Sequence, residues 1–293
     1  MCIEEKDVVR RQFGRFAERY AISSSQAKGQ SLQRLVELAQ PVSSDRVLDI
    51  ATGAGFTAAI LAPHVARVVA VDMTTEMLLQ AWTVAYQQNL SNIIFCRADA
   101  ETLPFRSEAF HLVTCRLALH HFREVRKYVS EMARVCRRGG RIAVVDSVVP
   151  DDPDVALWIN QFEKRRDPSH HWSYPLSQLV RIFADEGLVI TGCESAPTTT
   201  VFQDWTWRMG VPSEVERELE IALLNADAAV QHIMRPGVEN GKLVFQLMQG
   251  TILCQKATGA QEPIPQYGGI DERDDAFART ACEGGAGLGA DDV

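Results

Sequence analysis

A short apolar run, Val47-Leu48-Asp49-Ile50, passes through Ala51-Thr52-Gly53-Ala54-Gly55 into Phe56-Thr57-Ala58. That is a strand running into a glycine loop and then a helix. Glycine suits a sharp turn whose backbone must approach a ligand, because it adopts positive φ without steric penalty. The helix that follows aims its unpaired N–H groups at whatever sits above the loop.

The rest of the chain fits such a unit. Strand-like and helix-like segments alternate: residues 46–51 then 57–63, 67–72 then 76–89, 93–97, 111–115 then 123–135, and 141–147. Short buried strands separated by helices imply a parallel sheet with right-handed crossovers. Two helices precede the first strand, within residues 8–40, where Phe13, Phe16, Ala17 and Tyr20 and later Leu32, Leu35 and Val36 recur at helical spacing before Pro41. After the sheet core, Asp151-Asp152-Pro153 reads as a capped helix start. Residues 176–186 and 212–233 read as helical, 187–193 and 243–255 as strands, and Pro236-Gly237 and Asn240-Gly241 as turns.

The chemistry of the loop leaves two cofactor classes open. Gly53-x-Gly55-x-x-Ala58 fits a dinucleotide fingerprint, and Asp72 ends the next strand where a ribose acceptor belongs. An NAD(P)-dependent oxidoreductase is one reading. Asp49, however, sits just before the loop, where it would repel a pyrophosphate and attract an ammonium group. A further acid, Asp99, follows the third strand and can accept from an adenine amino group. These acids favour S-adenosylmethionine.

The stretches Gln12-Phe13-Gly14, residues 47–55, Val71-Asp72-Met73-Thr74, residues 98–105, Ala118-Leu119-His120-His121-Phe122 and Arg137-Arg138-Gly139-Gly140 occur in one order and spacing. Together they resemble the class I S-adenosylmethionine-dependent methyltransferases, in the branch typified by the C-methyltransferases of ubiquinone and menaquinone biosynthesis, over residues 12–256. The resemblance implies an α/β fold: a Rossmann-like, seven-stranded, mostly parallel sheet with an antiparallel last strand and helices on both faces. It implies a domain over residues 1–257, with lid helices in 1–42, 148–186 and 203–236. It places Asp72 and Met73 at the ribose, Asp99 and Ala100 at the adenine, and Asp49, Ala51, Thr52, Gly53 and Gly55 around the methionine part, with Arg116 beside them. The family pattern has glycine where this chain has Ala51, which matters only if that backbone has positive φ or touches the ligand. The Asn/Asp-Pro-Pro-Tyr motif of DNA and protein amide methyltransferases is missing after the fourth strand, where Cys115-Arg116-Leu117-Ala118 stands.

On the acceptor side, Arg165-Arg166-Asp167-Pro168-Ser169-His170-His171-Trp172 resembles the family's segment bordering the acceptor pocket. His170 and His171 are candidate bases, because imidazole titrates near neutral pH; a plain turn with a satisfied histidine is the competing reading. Tyr20, His120, His121, Arg166 and Trp172 are candidate substrate contacts. Trp82, Trp158, Trp205 and Trp207, like Trp172, also read as core or lid packing, and the cysteines as reduced thiols with no zinc-like spacing, so no metal site is expected.

Charge narrows the partners. Of the net −8, the segment 259–293 carries eight acids against Arg273 and Arg279, a balance of −6 that leaves −2 for the rest. A near-neutral body without a basic stripe argues against nucleic acid. The acidic, glycine-rich segment 258–293 has little apolar surface to bury and is expected to be disordered. No run is long enough to span a bilayer and no secretory leader is evident, so a cytoplasmic enzyme is expected, although an apolar substrate could bring it to a membrane surface. The expected reaction is methyl transfer to a carbon or oxygen nucleophile of a quinone-like, aromatic or secondary-metabolite acceptor. A non-methylating cyclase or S-adenosylmethionine-binding protein is the alternative; oligomeric state is left open.

Overall fold

Strand β1 (Arg46–Ile50) is buried at every residue but its first, the pattern of a strand covered on both faces. It pairs in parallel with β2 (Arg67–Asp72) on one side and β4 (Phe110–Arg116) on the other, and β2 pairs with β3 (Ile93–Arg97). β5 (Cys136–Val148) continues the parallel sheet beside β4. The last strand, β8 (Lys242–Lys256), runs antiparallel between β5 and β6 (Leu188–Val201), giving the order β3-β2-β1-β4-β5-β8-β6. The computed structural model describes residues 3–23, 27 and 29–258. The acidic segment expected to be disordered lies outside the described residues except for Thr258.

Helices α1 (Ile3–Ala21), α2 (Gln30–Ala39), α3 (Phe56–Leu61), α4 (Thr75–Gln87) and α5 (Val125–Val135) connect or precede the parallel strands. Leu48, Ile50 and Val113 pack with Tyr128, Met132 and Phe183 in one core. Val47, Val68 and Leu112 pack with Leu35, Ala58 and Leu61 in another. Alternate residues of β1 thus feed opposite faces, as the pleat requires.

After β5 come α6 (Pro153–Arg166) and α7 (Leu176–Asp185), and after β6 come α8 (Phe202–Met209), α9 (Ser213–Leu224) and α10 (Ala228–Met234). Asp152 caps α6 by accepting from the N–H groups of Asp154 and Val155 at 3.0 and 3.2 Å, with Pro153 at the first helical position. Phe162, Phe202, Trp205, Leu219 and Phe245 join these helices to the extended ends of β6 and β8 in a third core.

Several boundaries differ from the sequence reading. An eighth, three-residue strand, β7 (Gly237–Glu239), pairs with β8. Asn240 and Gly241 both have positive φ, the requirement of a two-residue hairpin turn, and β5 reaches only to Met248 along β8, leaving that edge open. The helix expected over residues 212–233 breaks at 225–227, where Asp227 caps α10 through the Val230 N–H at 2.8 Å. β6 continues well past Cys193 because β8 offers it a partner to Val244. Trp82 is not core packing: it is 54% exposed and stacks on Tyr86 at 5.3 Å. No described helix is long and apolar enough to cross a membrane.

Candidate active site

Strand order reverses beside β1, and a crevice opens at the carboxyl ends of β1, β2 and β4, where open α/β sheets bind ligands. The cavity there, open to solvent, contains about 920 Å³ of atom-free space counted out into that solvent. Ala51, Thr52, Gly53, Asp72, Met73, Ala100 and Arg116 line it from the sheet. Phe13 and Tyr20 of α1, with Ala118, His121 and Phe122 after β4, line it from the other side.

The glycine loop owes its shape to three left-handed residues, Ala51 (φ 51°), Gly53 (φ 55°) and Gly55 (φ 82°). Ala51 therefore stands where the family's glycine would be at ease, both in positive φ and on the cavity lining; the side chain costs about 1–2 kcal/mol there. Gly55 does not line the cavity. A Cβ on it would meet the Ala81 Cβ at 2.7 Å, so the glycine lets the loop press against α4.

The acids separate by depth. Asp72 lines the cavity, and its carboxylate accepts from the N–H groups of Gly53 and Thr74, both at 2.9 Å. Burial raises its pKa against those bonds. Asp49 lies beneath the loop and outside the lining; it accepts from the hydroxyls of Thr52 at 2.6 Å and Thr114 at 2.8 Å. Burial pushes it up to about 6 in spite of both hydroxyls. Asp99 also stays outside the lining, paired with Lys6 of α1 and accepting from the Glu101 N–H at 3.0 Å. Arg116 reaches the cavity with its Nε 3.3 Å from the Thr57 hydroxyl. Burial pulls it down to about 10, against the attraction of Asp49.

On the acceptor side the structure brings Tyr20 and His121 to the lining but not His120, Arg166 or Trp172. A hub that the sequence reading passed over explains the His120-His121 turn. Asp146, at the end of β5, accepts from the N–H groups of Ala118 at 2.9 Å and Leu119 at 2.5 Å and pairs with His120 Nδ1. Burial lowers the His120 pKa, but Asp146 outweighs it and the group ends above its ordinary value. A signal for Asp146 was available, since it is another acid at the carboxyl end of a buried strand. His121 Nδ1 lies 3.0 Å from the Ser169 carbonyl, which can only accept, so Nδ1 carries the proton and Nε2 keeps its lone pair. Burial, then the neighbouring His120, push His121 down to about 4, leaving it neutral at pH 7. Phe13 meets its ring edge-on at 5.0 Å.

His170 and His171 depart from the expectation. His170 is 1% exposed, with Nε2 at 2.9 Å from Asn160 Oδ1, and neither residue lines the cavity. Asp167 holds the loop as a turn by accepting from Ser169 N at 2.8 Å and Oγ at 2.5 Å. The N–H groups of His171 and Trp172 both donate to the His120 carbonyl, at 2.8 and 3.0 Å. The loop therefore buttresses the His120-His121 turn from behind.

The methyltransferase domain family matches residues 48–144. An uncharacterized methyltransferase, YcgJ, of Bacillus subtilis is 35% identical over 71% of this chain and 82% of its own length. A demethylmenaquinone methyltransferase of Clavibacter sepedonicus is 35% identical over 44% of this chain and 52% of its own. The crystal structure of YcgJ superimposes with a TM-score of 0.74 at 32% identity, covering 78% of this chain and 99% of that one. With a cavity at the strand ends that Asp72 lines and a relative of that identity and coverage, the chain belongs to the class I S-adenosylmethionine-dependent methyltransferases.

Proposed function

We propose that the chain methylates an oxygen or carbon nucleophile on a hydroxylated aromatic or quinol-like small molecule, with His121 holding the acceptor's proton. The observation that carries this reading is His121 itself: a neutral imidazole on the wall of the cavity that Asp72 also lines, with its Nδ1 committed to Ser169. S-adenosylmethionine supplies a methyl group on a cationic sulfur that leaves as a neutral thioether. In this reading Asp72 accepts from the ribose hydroxyls, and its neighbours Met73 and Ala100 flank the nucleoside. Asp49 sets a negative charge under the methionine end, where Arg116 meets the carboxylate.

His121 is too weak a base to ionise a phenol beforehand. It accepts the hydroxyl hydrogen bond, orients the nucleophile and takes the proton late, as the oxygen gains positive character while its bond to carbon forms. His120 and Asp146 fix the turn. The helices α1, α6 and α8–α10 act as the lid and acceptor wall, whereas α2 and α7 of the expected lid pack on the sheet; the lid excludes water and aligns the two reactants, a contribution on the order of 7–11 kcal/mol in well-oriented systems. The near-neutral body favours a small cytoplasmic acceptor, and an apolar one would draw the protein to a membrane surface.

Incubating the protein with S-adenosylmethionine and a panel of hydroxylated aromatics and quinols tests this, with S-adenosylhomocysteine release and product mass as readouts. His121→Gln should lower turnover at least about tenfold with cofactor affinity within about threefold. Equal turnover by the variant on an accepted substrate removes His121 from the reaction.

A further inference from the structure

Helix α4 buries one face against the sheet and leaves the opposite face exposed. Met77, Ala81, Val84 and Ala85 are buried. On the other side Leu79, Trp82 and Tyr86 are 59%, 54% and 70% exposed, and with Thr75 they follow at i, i+4, i+7 and i+11, one face of a helix. Glu76 is the one charged residue in α4, so this outward stripe is uncharged along its length.

The stripe begins at a groove beside the cavity. Thr75 lines that groove, and Met73 and Thr74 line both the groove and the cavity. Across from them α1 contributes Arg10, Arg11 and Arg15, and the end of β3 contributes Arg97. Asp7 pairs with Arg10, and Glu76 lies against Gly14, where a Cβ would stand 3.2 Å from its Oε2. Four guanidiniums thus face two carboxylates, a local excess of positive charge in a chain whose net charge is −8. Charges more than about 8 Å away are largely screened at physiological salt, so the local excess governs what approaches this face.

Exposed large apolar side chains rimmed by charge mark an interaction surface, and their chemistry selects the partner. Trp and Tyr, each with an apolar body and a polar tip, settle at the headgroup level of a bilayer, and basic residues beside them draw anionic lipid. A second copy of the chain fits less well. The three side chains offer on the order of a few hundred Å², against about 800 Å² per partner in a stable interface.

We infer that the outer face of α4, with the arginines of α1 and β3, is a docking surface for an anionic bilayer, in which Leu79, Trp82 and Tyr86 sink to the headgroup level. The docking stands apart from the methyl-transfer reading; what rests on that reading is that an apolar acceptor then enters the cavity from the groove side without crossing bulk water.

Co-sedimentation of the full chain with vesicles tests it, comparing phosphatidylcholine alone with phosphatidylcholine and phosphatidylglycerol in equal parts. The anionic vesicles should bind the chain at least about tenfold more tightly, and the gap should close as salt rises. Trp82→Ser and Leu79→Ser should each weaken binding to the anionic vesicles by about fivefold or more. Arg11→Gln and Arg15→Gln should each weaken it by about fivefold, the worth of one basic residue near such a surface. None of these four residues lines the cavity, so S-adenosylhomocysteine affinity should stay within about twofold in every variant. Arg67→Gln, at the amino end of β2, should leave vesicle binding unchanged. Equal or absent binding to the two kinds of vesicle overturns the inference, as does binding that all four variants retain. A wild-type chain that sediments as a dimer without lipid and as a monomer after Trp82→Ser also overturns it, because the face then belongs to a second copy. Failure of every acceptor to release S-adenosylhomocysteine would strike the methyl-transfer reading alone, since vesicle binding is measured without an acceptor.

Discussion

The sheet-side wall of the cavity and its helix-side wall are held together by different forces. On the sheet side, Ala51, Gly53 and Asp72 sit at the ends of neighbouring strands, and short bonds from backbone N–H groups to one carboxylate lock the β1 and β2 loops together. On the helix side, Tyr20 and His121 come from α1 and the turn after β4, with Arg166 at the end of α6 reaching Tyr20 from outside the lining, joined by side-chain contacts across large sequence separations. Tyr20 donates to the Met209 sulfur at 2.9 Å, Gln12 to the Met209 carbonyl at 3.1 Å, and Gly210 lies so close to Phe16 that a Cβ would clash at 2.1 Å. A backbone-built wall tolerates little variation, whereas a side-chain-built wall can be re-lined without disturbing the sheet. That fits a cofactor shared across a family and an acceptor that differs between members.

The largest test of this contrast is Asp72→Ala. Charged hydrogen bonds are worth roughly 1.5–3 kcal/mol each, so losing those to the ribose should weaken S-adenosylmethionine binding by about a hundredfold or more by calorimetry. The melting temperature should fall too, since the N–H groups of Gly53 and Thr74 lose their acceptor. Asp72→Asn, which keeps one carbonyl oxygen, should lose less stability than affinity. An unchanged dissociation constant in both variants would mean that the sheet-side wall does not hold the cofactor.

Next in size is the split between the histidines of the helix side. His170→Gln should destabilise the fold by about 1–3 kcal/mol, because the buried imidazole's packing and its bond to Asn160 Oδ1, one of two that oxygen accepts, are disturbed, yet leave turnover within about twofold. His121→Gln should do the reverse. If His170→Gln also removes turnover at full stability, the loop reaches the acceptor after all.

A pH series probes Asp49 beneath the loop. Its folded pKa, about 6, lies above the ordinary 3.8, so its contribution to the stability of the free protein is present below the lower value and lost as pH rises through the upper one. Affinity for the cationic ammonium runs the other way. It should fall by up to about tenfold per pH unit below pH 6, and Asp49→Asn should flatten that slope. A wild-type affinity independent of pH between 5 and 7 would sever Asp49 from the cofactor.

The smallest effect is Ala51→Gly. Relief of the left-handed alanine, about 1–2 kcal/mol, is offset by the greater entropy of unfolded glycine, about 0.5–1 kcal/mol. A net stabilisation near 0.5 kcal/mol in chemical denaturation is expected, with cofactor affinity nearly unchanged. A destabilisation would show that the methyl group packs usefully on the core beside it.

The sheet-side residues were legible because the loop and its acids fall within a few dozen residues, each at a strand end that apolar runs announce. Asp146 was equally placed and was missed because its role is to hold a turn contributed by another strand. The histidines of residues 170–171 attracted attention as titratable groups in a loop, but titratability says nothing about which way a ring points. His170 turns inward to Asn160, and His121, read from the sequence as a substrate contact rather than a base, takes the cavity wall.

Local order, then, was the sequence's to decide: buried apolar runs separated by amphipathic ones, a glycine loop that needs positive φ, and acids at strand ends, all expressed over short stretches of chain. The tertiary structure alone decided which side chains meet across α1, the β4 turn, α6 and α8. It selected His121 over His170 at the cavity and brought Arg166 and Arg208 together at Tyr20. The physical reason is that such contacts depend on the docking of elements far apart in the chain, where burial, a competing hydrogen bond such as the one His170 donates to Asn160, or a like charge nearby sets each group's direction and protonation, and none of these is carried by the residue's own identity.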